Sequence, residues 1–174
     1  MPRLVLFQPE IPPNTGNVAR TCAATCTELH LIEPLGFEIS DRTLRRAGLD
    51  YWPWVDLHRH ADWQAFCAEQ SRRGGRLLAL TRHASQPYHR VTYRADDWLL
   101  FGRETSGLPP ELLAEADLAL TIPMPGSVDQ GGGVRSLNLA TAAGVVLFEA
   151  LRQLQDAIPP TSENTPATAV DPTL

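Results

Sequence analysis

The sequence of 174 residues contains no lysine, and all 15 of its basic residues are arginine. This absence excludes a lysine-dependent phosphate loop, Schiff-base chemistry and a lysine general base. Arginine presents a planar fork to phosphate or carboxylate, so local anion binding stays open. The formal net charge of -5 excludes a generally polybasic nucleic-acid coat.

Long apolar runs are absent as well, and cysteine is scarce. No apolar run approaches the roughly 18 residues that a membrane span needs, and the N-terminus lacks a secretory pattern. The three cysteines cannot all pair. We therefore expect a reduced, cytoplasmic protein that makes no membrane contact.

One domain is expected over residues 1–155, with a tail at 156–174. The tail is rich in Pro, Thr and Ala, and it carries three acids and no base. Such a segment cannot bury enough apolar surface to offset the entropy lost on ordering, which predicts disorder.

Short apolar runs alternate with helical patterns, which predicts an α/β fold with a mostly parallel sheet covered by helices on both faces. The predicted strands are Leu4–Gln8, Leu29–Glu33, Val55–Leu57, Arg76–Thr81, Trp98–Gly102 and Leu118–Pro123. The predicted helices are Gly16–Thr25, Asp41–Ala47, Asp62–Arg72, Pro109–Ala116 and Leu137–Leu154. Pro9–Pro13 is interpreted as a loop. Ligands bind such sheets beyond the carboxyl ends of the strands, so the loops there are the candidates for chemistry.

The loop after the first strand carries N-T-G-N-V-A-R at residues 14–20. Gly16 and its flanking asparagines can open a helix whose free N–H groups suit an anion, with Arg20 one turn inside. A plain capped helix with a surface arginine explains the same residues.

Two further loops carry glycine and polar residues. In F-G-R-E-T-S-G-L-P, residues 101–109, two glycines bracket Glu104, so the backbone can approach a ligand while a carboxylate points at it. A tight turn with an exposed acid is the alternative. After I-P-M at 122–124, a glycine triplet leads to R-S-L-N-L-A, where Ser136 or Asn138 could cap the last helix beside Arg135. That segment is otherwise a flexible connection. Together the three loops fit an adenosine-bearing ligand.

Other side chains carry weaker signals. Cys22 and Cys26 lie one helical turn apart without further ligands nearby, so they are interpreted as small core residues and no metal is expected. Four histidines are interpreted as surface residues: His58, His60, His83 and His89. A basic and aromatic cluster suits either RNA bases and phosphates or partly buried rings beside solvated arginines: Arg45, Arg46, Tyr51, Trp52 and Trp54.

The three loops, in this order, resemble the motifs of the SPOUT superfamily of RNA methyltransferases, in its SpoU-like 2′-O-methyl branch. The matching motifs are N-x-G-N-x-x-R, F-G-x-E-x-x-G-L and I-P-M…R-S-L-N-L. P-E-I-P-P-N-T-G-N and L-R-R-A-G-L-D-Y are similar to those of members that methylate the wobble nucleotide, cytidine or uridine 34, of tRNA. The resemblance covers about residues 1–155.

The resemblance implies a C-terminal deep trefoil knot, an exception to the rule against knots. It implies S-adenosyl-L-methionine as the cofactor, a homodimer, and the anticodon loop of leucine tRNAs as the substrate. It implies no metal, because the cofactor already carries an activated methyl group.

The resemblance also assigns roles by position. The cofactor contacts are Leu80, Gly102, Ile122 and Ser136, and the catalytic set is Arg20, Glu104 and Asn138. The RNA contacts are Asn14, Arg45, Arg46, Tyr51 and Arg135. Arginine is proposed as a base in this family, but a guanidinium stays protonated at ordinary pH. We therefore expect Arg20 to hold a phosphate and to stabilise the developing alkoxide.

Two alternatives remain. The first is 2′-O-methylation at another site of tRNA or rRNA. The second is a non-catalytic RNA-binding or assembly factor with the same fold, which is disfavoured because such a protein has no chemical need for these polar site residues.

Overall fold

The apolar runs of the sequence form a seven-stranded sheet in the computed structural model, which describes residues 1–37, 51–126 and 131–156. The strands are β1 (Arg3–Phe7), β2 (Leu29–Ile32), β3 (Leu57–His60), β4 (Leu77–Leu80), β5 (Gln86–Pro87), β6 (Trp98–Phe101) and β7 (Leu118–Thr121). Their order is β3-β2-β1-β6-β4-β7-β5, and every neighbouring pair is parallel. The predicted α/β fold with a parallel sheet is confirmed.

Helices cover both faces of the sheet, because successive strand residues point to opposite sides. The helices are α1 (Pro12–Thr25), α2 (Trp63–Arg73), α3 (Pro110–Glu115) and α4 (Leu139–Asp156), with short 3₁₀ turns at Trp52–Trp54 and Tyr88–Arg90. Leu4 and Leu6 belong to the core that α1 and α4 complete. Val5 and Phe7 belong to the core on the other face, with residues of α2 and α3. No helix in the described ranges is long and apolar enough to span a membrane.

The element boundaries differ from the prediction in places that have physical reasons. The loop predicted at Pro9–Pro13 is confirmed up to Ile11 and is wrong for its last two residues, because α1 begins at Pro12, where a missing N–H costs nothing. The strand predicted at Val55–Leu57 lies at Leu57–His60 instead, because Val55 closes the 3₁₀ turn by donating its N–H to Trp52 O at 3.1 Å. The helix predicted at Asp41–Ala47 and the tail from residue 157 lie outside the described residues.

The strand order brings the ends of β6, β4 and β7 side by side. Leu80 pairs with Phe101 on one neighbour and with Leu120 on the other. β6 enters between β1 and β4, both of which precede it in the chain, and β7 enters between β4 and β5. The loops that follow these strands therefore meet at one place on the edge where the strands end, called here the carboxyl edge. The opposite edge is called the amino edge.

Candidate active site

A cleft of about 460 Å³ lies at the carboxyl edge. Its walls come from five segments: the start of α1, the residues after β4, β6 and β7, and those that lead into α4. Eight of the predicted site residues line it: Asn14, Leu80, Gly102, Glu104, Ile122, Arg135, Ser136 and Asn138. Residues of all three predicted loops line one concave site. Thr81, Arg82 and His83, which follow β4, add a wall that the loop pattern did not predict.

The loop after β6 folds back on itself within five residues. Arg103 N donates to Gly107 O at 3.1 Å, and Gly107 N donates to Arg103 O at 2.9 Å. Gly107 has a φ of 72°, in the left-handed region that favours glycine. A Cβ on Gly102 would lie 2.3 Å from the carbonyl carbon of Gly107. Position 102 therefore requires glycine, because the loop folds back so that Gly107 occupies the space of a side chain.

The Glu104 carboxylate points at the start of α1. Its Oε2 accepts a hydrogen bond from Glu10 N at 2.8 Å, and its Oε1 accepts from Ile11 N at 3.3 Å and from Asn14 Nδ2 at 3.1 Å. Both oxygens therefore bind protein donors. Glu104 fixes the geometry of the cleft wall and does not present a free carboxylate.

Glu10 completes a reciprocal arrangement that the sequence analysis missed. Its Oε2 accepts from Thr105 N at 3.1 Å and from Thr105 Oγ1 at 2.7 Å. The segment before α1 thus holds the loop after β6 through two carboxylates, one from each side. Since Glu10 and Thr105 are 95 residues apart, no local pattern signals their contact.

Asn138 joins the third loop to the same network. Its Nδ2 donates to Asn14 Oδ1 at 2.8 Å, while its Oδ1 accepts from Ala140 N at 2.9 Å and from Thr141 N at 3.3 Å. Asn138, and not Ser136, is therefore the side chain that caps α4. A continuous chain of hydrogen bonds runs from Glu104 through Asn14 to Asn138.

Arg20 and Tyr51 do not line the cleft. The Tyr51 hydroxyl donates to Gly16 O at 2.7 Å, and the Arg20 guanidinium carbon lies 5.5 Å from the centre of the Tyr51 ring. Of the two interpretations of residues 14–20, the structure favours a plain helix with a surface arginine. Gly16 lies inside α1, and the first two helical residues are prolines without N–H groups to bind an anion. The predicted RNA contacts Arg45 and Arg46 lie outside the described residues.

A histidine cluster lies on β2 and β3, with His30 and His58 towards the amino edge and His60 at the last position of β3. His30 is fully buried and His60 is 8% exposed, so the interpretation of His60 as a surface residue is wrong. Nδ1 of His30 lies 2.9 Å from Nε2 of His60, and Nε2 of His30 lies 3.2 Å from Glu28 Oε2. Burial lowers the pKa of His30 to about 3 and also lowers the pKa of His60. The hydrogen bond from Arg73 lowers the pKa of Glu28 to about 2.

Glu28, His30 and His58 form the one group of metal-ligand type found among the described residues. Two features oppose metal binding there. Both oxygens of Glu28 already accept hydrogen bonds from Arg73, at 2.6 and 2.7 Å. The rings of His30 and His58 stack with centres 4.5 Å apart and planes 10° apart, so one ion cannot lie in both ring planes. The group is a hydrogen-bonded cluster around the Glu28–Arg73 ion pair.

Cys22 and Cys26 lie in different environments. Cys22 is buried in the core, where burial raises the pKa of its thiol to about 12. Cys26 is exposed and ends α1 with a positive φ of 51°. The interpretation as core residues therefore holds for Cys22 and is wrong for Cys26.

Comparison with known proteins agrees with this geometry. The sequence model of the SpoU rRNA Methylase family matches residues 1–148. The chain belongs to the SpoU methylase family, which confirms the resemblance inferred from the three loops.

More specific similarities extend over nearly the whole chain. A protein of Saccharophagus degradans named tRNA (cytidine(34)-2′-O)-methyltransferase is 51% identical over 154 residues, which are 87% of this chain and 94% of that protein. A solved structure described as giving insight into 2-OH methylation of C/U34 on tRNA superimposes with a TM-score of 0.81 and 51% identity, and the match covers 90% of this chain and 97% of that one. An AdoMet-bound rRNA methyltransferase from Sinorhizobium meliloti is similar at 31% identity and a TM-score of 0.74, over 88% of this chain and 56% of that one.

Proposed function

We propose that this protein transfers a methyl group from S-adenosyl-L-methionine to the ribose 2′-hydroxyl of nucleotide 34, the wobble position of tRNA. The observation that carries the proposal is the convergence of the three motif loops on one cleft at the carboxyl edge. Support for the substrate comes from the relatives named for position 34, which match over nearly their full lengths.

The cleft suits the proposed cofactor in size and in the chemistry of its walls. Its volume lies in the range of small-molecule sites. Leu80 and Ile122 supply apolar wall, and the Gly102 turn brings backbone polar groups to the surface of the cleft. We assign cofactor binding to these three residues and to Ser136. When bound, the cofactor supplies a sulfonium methyl group that a hydroxyl oxygen can attack in line.

Glu104, Asn14 and Asn138 are proposed to position the cleft. Their side chains bind each other or nearby backbone, so they hold the three loops in one arrangement. Asn14 is 7% exposed, and both its side-chain nitrogen and its oxygen are engaged. A positioning role therefore suits Asn14 better than the RNA contact that the resemblance implies. Alignment of reactants contributes up to about 7–11 kcal/mol in favourable systems.

Arg20 is proposed to act across a homodimer. It is exposed on α1 beside Tyr51, away from the cleft of its own chain, so it would serve the cleft of a second copy. The exposed Phe148 on α4 and the exposed Trp54 supply apolar surface for such an association. At the target, Arg20 would hold the neighbouring phosphate and stabilise the developing alkoxide charge. The reaction as proposed needs no metal, because the methyl group is already activated.

The remaining assignments also rest on the family. We propose that the chain is tied in a deep trefoil knot, a proposal supported by the entry of β6 between two earlier strands and by the packing of α4 on α1. We propose the anticodon loop of leucine tRNAs as the substrate, contacted by Tyr51, Arg135 and the arginines at 45 and 46. A tRNA substrate would place the protein in the cytoplasm.

The test is transfer of labelled methyl to tRNA that lacks wobble 2′-O-methylation, followed by mapping of the labelled nucleotide. We expect label on the ribose of nucleotide 34, and none when the same tRNA carries a 2′-deoxyribose at that position. Label elsewhere would indicate another RNA site. Failure to bind S-adenosylmethionine in a calorimetric titration would refute the enzymatic function.

A further inference from the structure

The walls of the cleft carry two arginines that form no ion pair with any described residue. Arg103 and Arg135, called here the arginine rim, both line the cleft. Neither forms an ion pair with another described residue. Glu104 is the one acid among the described lining residues, and its two oxygens bind backbone and amide N–H groups. The rim thus has no acidic partner in the described part of its own site.

Arg103 is held in place by an aromatic contact. Its guanidinium carbon lies 5.5 Å from the centre of the Phe7 ring, and Phe7 is itself fixed by edge-on packing against Trp63 at 6.1 Å. A cation over an aromatic face is stabilised by the ring quadrupole, so the charge is positioned before any ligand arrives. A positioned, unpaired guanidinium is suited to a phosphate oxygen pair.

The proposed cofactor does not account for this charge. S-adenosylmethionine carries a sulfonium and an ammonium against one carboxylate, so it is itself a net cation and adds to the positive potential of the cleft. The ligand that neutralises the rim must be an anion that binds beside the cofactor. Every nucleotide of an RNA chain supplies one phosphate charge.

We propose that the arginine rim binds backbone phosphates of the RNA next to the target ribose, with Arg103 as a phosphate contact. The proposal rests on the proposed function and adds to it a named substrate-binding residue. Because phosphate contacts carry no base information, Arg103 contributes affinity that is independent of sequence. It also contributes to the salt dependence of binding, since each neutralised phosphate releases counterions.

The experiment compares Arg103→Gln with wild type in the full chain, using fluorescence anisotropy of a leucine tRNA transcript over a series of salt concentrations. We expect the Kd for tRNA to rise about 5- to 10-fold at low salt and the slope of log K against log salt to fall by about 1. An unrelated RNA stem-loop should lose affinity by a similar factor. The Kd for S-adenosylmethionine, measured by calorimetry without RNA, should not rise.

Arg72→Gln is the matched control. Arg72 is an exposed side chain near the end of α2, paired with Glu69 at 2.7 Å, so the variant removes the same charge away from the cleft. Arg103→Lys is the conservative variant, and it should recover part of the affinity because a point charge still attracts phosphate. Urea unfolding of each variant verifies that it folds.

Two results would overturn the proposal. One is a loss of tRNA affinity in Arg103→Gln no larger than that in Arg72→Gln. The other is weaker binding of S-adenosylmethionine with unchanged tRNA affinity, which would make Arg103 a contact of the cofactor carboxylate. The proposed function fails separately: if wild type binds tRNA through Arg103 but labels no nucleotide 34, the rim stands and the wobble activity does not.

Discussion

The arginines that line the cleft and the arginines at the amino edge of the sheet differ in their partners. At the amino edge, Arg76 holds Asp97 with two hydrogen bonds of 2.9 and 2.8 Å, and Arg73 holds Glu28 in the same manner. At the carboxyl edge, the described part of the chain offers no ion pair to the arginine rim, and Glu104 binds neutral donors. Arg59 and Glu33 also pair beyond the end of β2, at 2.6 Å. The arginine rim, in contrast, remains available to a ligand within the described part of the chain.

Burial explains the difference. Asp97 is fully buried, and a buried carboxylate is tolerated only when it is paired and hydrogen-bonded. Arg103 and Arg135 keep contact with solvent, so an unpaired charge costs little there until a ligand displaces the water. The fully buried Asp97 and its ion pair thus lie at one end of the strands, and the cleft lies at the other.

The largest expected effect comes from removing the Asp97–Arg76 ion pair at the amino edge. Asp97→Ala should lower the free energy of unfolding by about 3–5 kcal/mol, because it leaves Arg76 without its partner and removes the acceptor of Arg94 N. Urea unfolding measures the change. The neighbouring exposed Asp96→Ala should change it by less than about 0.5 kcal/mol. Equal effects of the two variants would show that pairing at this edge does not stabilise the fold.

The next largest effect comes from disrupting the hydrogen bonds of Glu104 at the carboxyl edge. Glu104→Gln replaces one acceptor oxygen with an amide that faces N–H donors, so the loop after β6 loses its fixed position against α1. We expect methyl transfer to fall about 100-fold, the scale of a small misplacement of reacting groups. The free energy of unfolding should fall by only about 1–3 kcal/mol. Exposed Glu111→Gln, the control on α3, should leave both quantities unchanged. Wild-type activity in Glu104→Gln would contradict the positioning role.

A third prediction concerns the pH dependence of stability, which should come from the buried His30 on β2. The pKa of His30 is lowered to about 3 in the folded state by burial, from an ordinary value near 6.5, so protonation favours unfolding. The stability that this group provides is complete above pH 6.5 and is lost as pH falls toward 3, at up to about 1.4 kcal/mol per pH unit. The lowered pKa of Glu28 adds a further loss below about pH 4.5.

The measurement is NMR of the histidine rings together with urea unfolding from pH 8 to pH 4. The His30 ring signals should not titrate between pH 8 and pH 5. The free energy of unfolding, in contrast, should decrease as the pH is lowered from about 6.5 to 5. Titration of the His30 ring near pH 6.5 would contradict the packing of β2 against β3.

The smallest effect separates two roles of one side chain. Asn138→Ala removes the cap of α4 and should cost about 1 kcal/mol of unfolding free energy. Asn138→Asp keeps an acceptor for the cap but removes the donor to Asn14 Oδ1. We expect Asn138→Asp to retain most of the stability and to lose methyl-transfer activity in a labelled-tRNA assay. Full activity in Asn138→Asp would show that the link to Asn14 has no positioning role.

The elements could be predicted from the sequence because their signals are local. The apolar run Trp98–Phe101, for example, is buried throughout, and the strand ends one residue before its predicted limit at Gly102. The three loops could be placed on one edge because parallel strands all end on the same side. The site's walls were therefore within reach of sequence reasoning.

The contacts inside the site could not be predicted, because they depend on the alignment of remote segments. The hydrogen bond between Glu104 and Asn14 spans 90 residues. The contact of His30 with His60 depends on the register that places His60 opposite Ile32, which two separate strands set only when paired. The orientation of Arg20 depends on a helix that starts at Pro12, before the glycine that the pattern suggested.

The reciprocal carboxylates of Glu10 and Glu104 have a consequence for how the protein is made. Their bonds, and the bond from Asn138 to Asn14, join residues 94, 95 and 124 positions apart. A nascent chain has no cleft until α4 has been synthesised and has reached α1, because Asn138 stands at the start of that last helix. The proposed capacity to bind S-adenosylmethionine would therefore appear only after α4 has packed against α1, and ligand affinity would report that step of folding.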